Sequence, residues 1–175
     1  MNRTRSHILL LILAVSIFSC TEKVEDVPID PSELHDSMQK LTDVIVHDIF
    51  SPPVASRIYA YPSIAAYEIL ALENNQYKSL AGQLTDFTSI PKPEKPIDYD
   101  VAAIDAFLQV GQALIFSEDK MQEYRNEWHS QIREKGLDEA VLNESIAYSK
   151  KVYDHIMAWA DKDNNKQTRT FQKFT

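Results

Sequence analysis

Residues 47–73, HDIFSPPVASRIYAYPSIAAYEILALE, narrow the choice of folds more than any other part of the chain. Val54, Ile58, Ala65, Ile69 and Leu72 recur at helical spacing. Ser51 is placed to act as N-cap, and Pro52 suits the first helical position, where a missing N–H costs nothing. Tyr59, Tyr61 and Tyr67 add large rings whose hydroxyls need partners. A helix this apolar must sit against several others. Pro62 cannot donate to the carbonyl of Ile58, so a kink or short break is expected there.

The remaining pattern supplies those neighbours. Asp30 and Glu33 flank Pro31 at capping-box spacing, and Leu34, Met38, Leu41, Ile45 and Ile49 form one face of a first helix reaching about Phe50. A third helix runs from Asp98 or Asp100 to Phe116, apolar on a wide arc and therefore central. Ser117 is read as the cap of a fourth, whose narrow stripe of Met121, Tyr124, Trp128 and Ile132 lies among charges and makes it peripheral. Gly136 ends it, and Asp138 caps a fifth with Leu142, Ser145, Ser149, Val152, Ile156 and Trp159 on one face. Residues 74–97 read as a long connection: PKPEKP should be extended and exposed, while Leu80, Leu84 and Phe87 pin part of the segment to the core, as a short helix. With three glycines in the whole chain and no convincing strand, the reading is all-α: a bundle of about five helices over residues 31–160. The polar residues 161–175 are expected to be disordered.

Residues 1–19 are read as a leader and not as part of the fold. Arg3 and Arg5 precede the apolar run from Ile8 to Phe18, and Ser19-Cys20 has the form of a lipobox. Cleavage before Cys20 and lipidation of its thiol and new amine would tether the chain to a bacterial cell envelope through a flexible acidic segment, residues 20–30. The leader removes Arg3 and Arg5 and no acid, so the formal charge moves from −8 to −10, which opposes a nucleic-acid surface.

VIVHDIFSPPVASRIYAYPSIAAYE (residues 44–68) resembles the N-terminal helical region of bacterial lipoproteins in the vanadium-dependent haloperoxidase and type 2 phosphatidic acid phosphatase superfamily. WADKDNNKQTRTFQKFT (residues 159–175) is similar to the linker that precedes the catalytic half of those proteins. The resemblance implies a catalytic signature of a lysine with a later Arg-Pro, then Pro-Ser-Gly-His, then Ser-Arg with a distal His and Asp. Its cations would hold phosphate or vanadate. This chain does not carry it. Gly82, Gly111 and Gly136 are followed by Gln83, Gln112 and Leu137, no arginine precedes a proline, and Ser56-Arg57 stands without its histidine. No catalytic residue and no cofactor are therefore assigned to this chain; vanadate would belong to a full-length relative.

The remaining candidates are polar residues on the first two helices. His47 and Asp48 read either as a pocket-lining pair or as a core histidine beside a helix-end carboxylate. Arg57 either reaches an anion or pairs with Asp48 or Glu68. His35, His47, His129 and His155 lack metal-ligand spacing. Two functions stay open. The chain is the non-catalytic N-terminal portion of a membrane-anchored haloperoxidase- or phosphatase-like protein, whose partner is a separate catalytic half. Alternatively it is a complete small helical lipoprotein that serves as a protein-interaction module.

Overall fold

The computed structural model describes residues 29–164 and 167. Among them lie five helices: α1 Ser32–His47, α2 Pro52–Glu73, α3 Tyr99–Ala113, α4 Glu118–Glu134 and α5 Glu139–Ala160. There is no strand among the described residues, and the all-α bundle is the fold. The leader, Cys20, the tether up to residue 28 and most of the tail lie outside the described residues.

α3 is the axis. Every residue from Val101 to Gly111 is buried, Asp105 and Gln109 included. α2 and α5 pack along it most extensively, and α1 and α4 also rest on it. The wide apolar arc of α3 follows from this position, since four neighbours leave no face for water. α1 comes close at one point, where Gly111 faces Leu41; a Cβ on Gly111 would stand 3.2 Å from both Leu41 methyls. α4 is peripheral, burying Met121, Trp128, His129 and Ile132 while Glu118, Asp119, Glu123 and Glu127 face water.

Several local expectations need correction. α2 is helical without interruption through Pro62, which is itself buried, so there is no break there. The tertiary environment compensates for the missing donor, as it does where a helix is covered on most sides. α1 starts at Ser32, not Pro31: Asp30 accepts from the Ser32 N–H (2.8 Å) and Glu33 reaches back to the Asp30 N–H (3.1 Å). It stops at His47, because Ile49 takes a positive φ of 56° and turns the chain toward α2. α3 stops at Ala113, short of Phe116.

The connection 74–98 folds as turns, without the short helix, and straps the bundle. Phe87 and Ile90 are buried. The strap is fastened to α5 by its carbonyls: Trp159 Nε1 donates to Thr85 O (2.9 Å) and the Tyr148 hydroxyl to Pro91 O (2.6 Å). Glu68 of α2 turns inward and accepts from Ser79 Oγ and the Leu80 N–H, both at 2.6 Å. At the start of the tail, residues 161–164 form a turn rather than a disordered end. Asp163 there accepts from the Tyr61 hydroxyl.

Candidate functional site

The three surface candidates occupy separate roles. His47 is exposed and does not edge the core. Asp48, half-buried, works across the bundle: Oδ2 accepts from the N–H groups of Phe116 (2.8 Å) and Ser117 (3.0 Å), and Oδ1 accepts from the Ser117 hydroxyl (2.6 Å). Burial works upward on its carboxyl, but hydrogen bonds from Ser117 and Phe116 outweigh it and hold the group below the usual carboxylate range. Ser117 therefore makes no side-chain cap of its own helix. Its hydroxyl is spent on Asp48, which sits as an anion at the positive end of α4. Asp48→Ala should destabilise the fold by about 0.5–2 kcal/mol, the usual cost of losing a cap, measured by urea unfolding. Arg57 pairs with Asp163 at 3.7 Å, and not with Asp48 or Glu68.

The cluster richest in chemistry joins side chains of three helices and is not among the candidates singled out from the sequence. Asp105, fully buried on α3, gathers side chains from two other helices. Its Oδ1 accepts from Arg125 Nε (2.6 Å) and contacts His129 Nε2 (2.7 Å), both on α4. Its Oδ2 accepts from Arg125 Nη2 (3.0 Å), from Gln109 Nε2 (2.8 Å) and from the Ser149 hydroxyl of α5. Gln109 also donates to Ser149 Oγ at 2.7 Å. Burial pushes the Asp105 carboxyl upward, but His129 and Arg125, through hydrogen bonds and charge, outweigh that and hold it at about 2. Beside the cluster opens a cavity of about 220 Å³ bordered by Gln112, Glu118, Gln122, Arg125, Lys150 and Tyr153.

Ser149, His129 and Asp105 are the residue types of a catalytic triad, but their geometry is different. In a triad the histidine stands between serine and carboxylate and takes the serine proton. Here serine and histidine both bond the carboxylate, so His129 is not placed as base for Ser149. Asp105 is surrounded by donors on both oxygens and has no spare lone pair for proton transfer. The arrangement ties α3, α4 and α5 together by a fully partnered buried charge. Three i,i+4 polar pairs foreshadow it in the sequence: Asp105/Gln109, Arg125/His129 and Ser145/Ser149, each facing inward on its own helix.

The cluster does not fit vanadate either. An oxyanion site needs positive charge that is not already compensated by a carboxylate. Arg125 is neutralised by Asp105, Arg57 by Asp163 and Arg133 by Glu139 (3.1 Å). Among the described residues no group of three or more His, Cys, Asp or Glu is arranged to hold a metal ion. No helix among them is long and apolar enough to cross a membrane.

No protein-family model and no curated protein matches the chain. Among solved structures it is similar to one described as the crystal structure of the first bacterial vanadium-dependent iodoperoxidase, with 47% sequence identity and a TM-score of 0.78. The match takes in 86% of this chain and 37% of the iodoperoxidase, so the chain spans well under half of that neighbour's length.

Proposed function

We propose that this chain is the non-catalytic, N-terminal helical portion of a haloperoxidase-like protein, held at a bacterial cell envelope by a lipid on Cys20. The similarity to the iodoperoxidase carries the reading: high identity across most of this chain, over a minor part of that one. The chemistry of the described residues agrees with it. Their arginines are each engaged by a carboxylate, and their one Ser–His–Asp cluster is a saturated tie. Oxyanion binding and catalysis then belong to polypeptide that this chain does not match, and the bundle serves to support it. The anchor rests on the leader pattern, with Arg3 and Arg5 before an apolar run and a small residue before Cys20.

The test is direct. The purified chain, given a generic phosphate ester, or iodide with peroxide and vanadate, should show no turnover. Turnover that survives repurification and is lost in Arg57→Ala would mean that an active site is present, and would overturn the proposal. For the anchor, Cys20→Ala should leave an unprocessed precursor without acyl label; unchanged labelling in that variant would remove the lipid from the reading.

A further inference from the structure

The cavity beside the Asp105 cluster presents hydrogen-bonding groups that the cluster does not use. Its wall on α4 is the row Glu118, Gln122 and Arg125, spaced four and three residues apart and so on one face of the helix. The row spans two turns, about 10 Å along the axis. α3 contributes Gln109 and Gln112, and α5 contributes Lys150 and Tyr153. A volume of about 220 Å³ is room for roughly seven waters at ~30 Å³ each, which suits a ligand of monosaccharide size and not a larger cofactor.

Gln109 is the most buried of these groups, 8% exposed. Its Nε2 donates both protons, one to Asp105 Oδ2 (2.8 Å) and one to Ser149 Oγ (2.7 Å). That fixes the orientation of the amide, because a flip would set its oxygen against the Asp105 carboxylate. Oε1 is then the polar atom that Gln109 has left for the cavity, and it has no hydrogen-bond partner among the described residues. Nor is it sealed in the interior, since it is not one of the fully buried unpartnered atoms. Arg125 is divided in the same way: Nε and Nη2 go to Asp105, and Nη1 is without a partner among the described residues. Further out, Gln112 spends its Nε2 on Gln122 Oε1 (3.1 Å) and keeps its own Oε1. The exposed Glu118 adds a carboxylate at the mouth.

The positive charges of the cavity are already compensated. Asp105 neutralises Arg125, and Lys150 is held by Asp154 and by the Tyr153 ring, 4.8 Å from its centroid. A simple anion finds no uncompensated positive charge here and is repelled by Glu118. A simple cation meets Arg125 and Lys150, and has no acceptor to offer Arg125 Nη1. A hydroxyl both donates and accepts, so one hydroxyl between Gln109 Oε1 and Arg125 Nη1 satisfies the two together. Hydroxyls on adjoining carbons then donate to Gln112 Oε1 and to Glu118. We infer that this cavity binds a neutral, polyhydroxylated molecule of monosaccharide size. Gln109 and Arg125 hold a hydroxyl at its inner end, and Gln112 and Glu118 read the hydroxyls nearer the mouth. The site is built from this chain alone and does not depend on the proposed function.

The purified full chain is titrated with glucose, galactose, mannose and sorbitol, and for comparison with acetate, methylammonium and acetamide, while its side-chain amide signals are followed by nuclear magnetic resonance. At least one of the four polyhydroxylated probes should bind saturably, at about millimolar affinity for a ligand of roughly a dozen heavy atoms. The amide signals of Gln109 and Gln112 should shift with it. Gln112→Ala should weaken that binding about 3–10-fold, the worth of a neutral hydrogen bond. Ala113→Leu, which fills the cavity from its α3 wall, should abolish it. Lys95→Ala, on the strap and no part of this cavity, should leave it unchanged. Circular dichroism establishes that each variant is folded, and the signals of the unaltered chain locate the site should Ala113→Leu fail to fold. Absence of saturable binding by all four polyhydroxylated probes overturns the inference. So does tighter binding of acetate, methylammonium or acetamide at the same signals, which would give the cavity to another chemistry. Sugar binding that leaves the Gln109 and Gln112 signals in place and ignores Gln112→Ala would put the site elsewhere, and overturns it as well.

Discussion

Asp105→Ala is expected to be the most damaging single substitution in the bundle, with a loss of about 3–5 kcal/mol in urea unfolding. The carboxylate is fully buried, and removing it leaves Arg125, His129 and Gln109 facing a void with donors that lose their acceptor, while Ser149 keeps the Ile146 carbonyl within reach. Most of the loss is the cost of an unneutralised guanidinium, not the worth of the bond that disappears. Asp105→Asn keeps the volume but not the charge, so it should recover only a minor part. The pH dependence has a definite sign. Asp105 titrates at about 2 in the folded chain, below its ordinary 3.8, so the unfolded chain binds this proton more readily. Its stabilisation is fully present above about pH 4 and is lost as pH falls toward 2. A shift of that size corresponds to roughly 2–3 kcal/mol of acid-sensitive stability. An Asp105→Ala loss below about 1 kcal/mol, or an acid transition identical in wild type and Asp105→Asn, would show that the cluster does not hold the three helices together.

The second large effect should come from α2. Ile58 and Ile69 are 1% and 0% exposed, and both belong to the core between α2 and α3. Truncating either to alanine removes most of a buried side chain and leaves a cavity that close packing cannot fully close, at about 2–5 kcal/mol. Glu123→Ala, on the exposed face of α4, should fall within about 0.5 kcal/mol. The pair of results measures the difference between a helix that makes the core and one that covers it. Equal losses on α2 and α4 would contradict that division.

Much of the architecture could be read from local pattern. The apolar positions of α1, α3 and α5 repeat at helical spacing because each helix turns one arc toward a shared axis. Capping groups marked their ends well: Asp98 accepts from the Val101 N–H (2.9 Å), Asp138 accepts from the N–H groups of Ala140 (2.8 Å) and Val141 (3.1 Å), and Gly136 ends α4's turn at a φ of 93°. The charged face of α4 likewise announced its position at the edge. These features depend on residues a few positions apart, and the physics that sets them is equally local.

What the sequence by itself determined is the set of helices, their central or peripheral rank and the absence of the haloperoxidase signature from this chain. Tertiary structure alone decided which polar groups meet. Asp48 looked like the partner of His47 or Arg57 beside it, yet it caps α4 some 68 residues away through Phe116 and Ser117. Arg57 meets Asp163, and Glu68 turns to the strap at Ser79 and Leu80. Asp105, Arg125, His129 and Ser149 gave three separate short-range signals, but their convergence needs the relative rotation of three helices. Apolar burial is non-directional and tolerates many partners, so hydrophobic spacing is enough to place a helix on a core. Hydrogen bonds between side chains require distances near 3 Å and a particular angle, and no pattern along one helix contains the position of another.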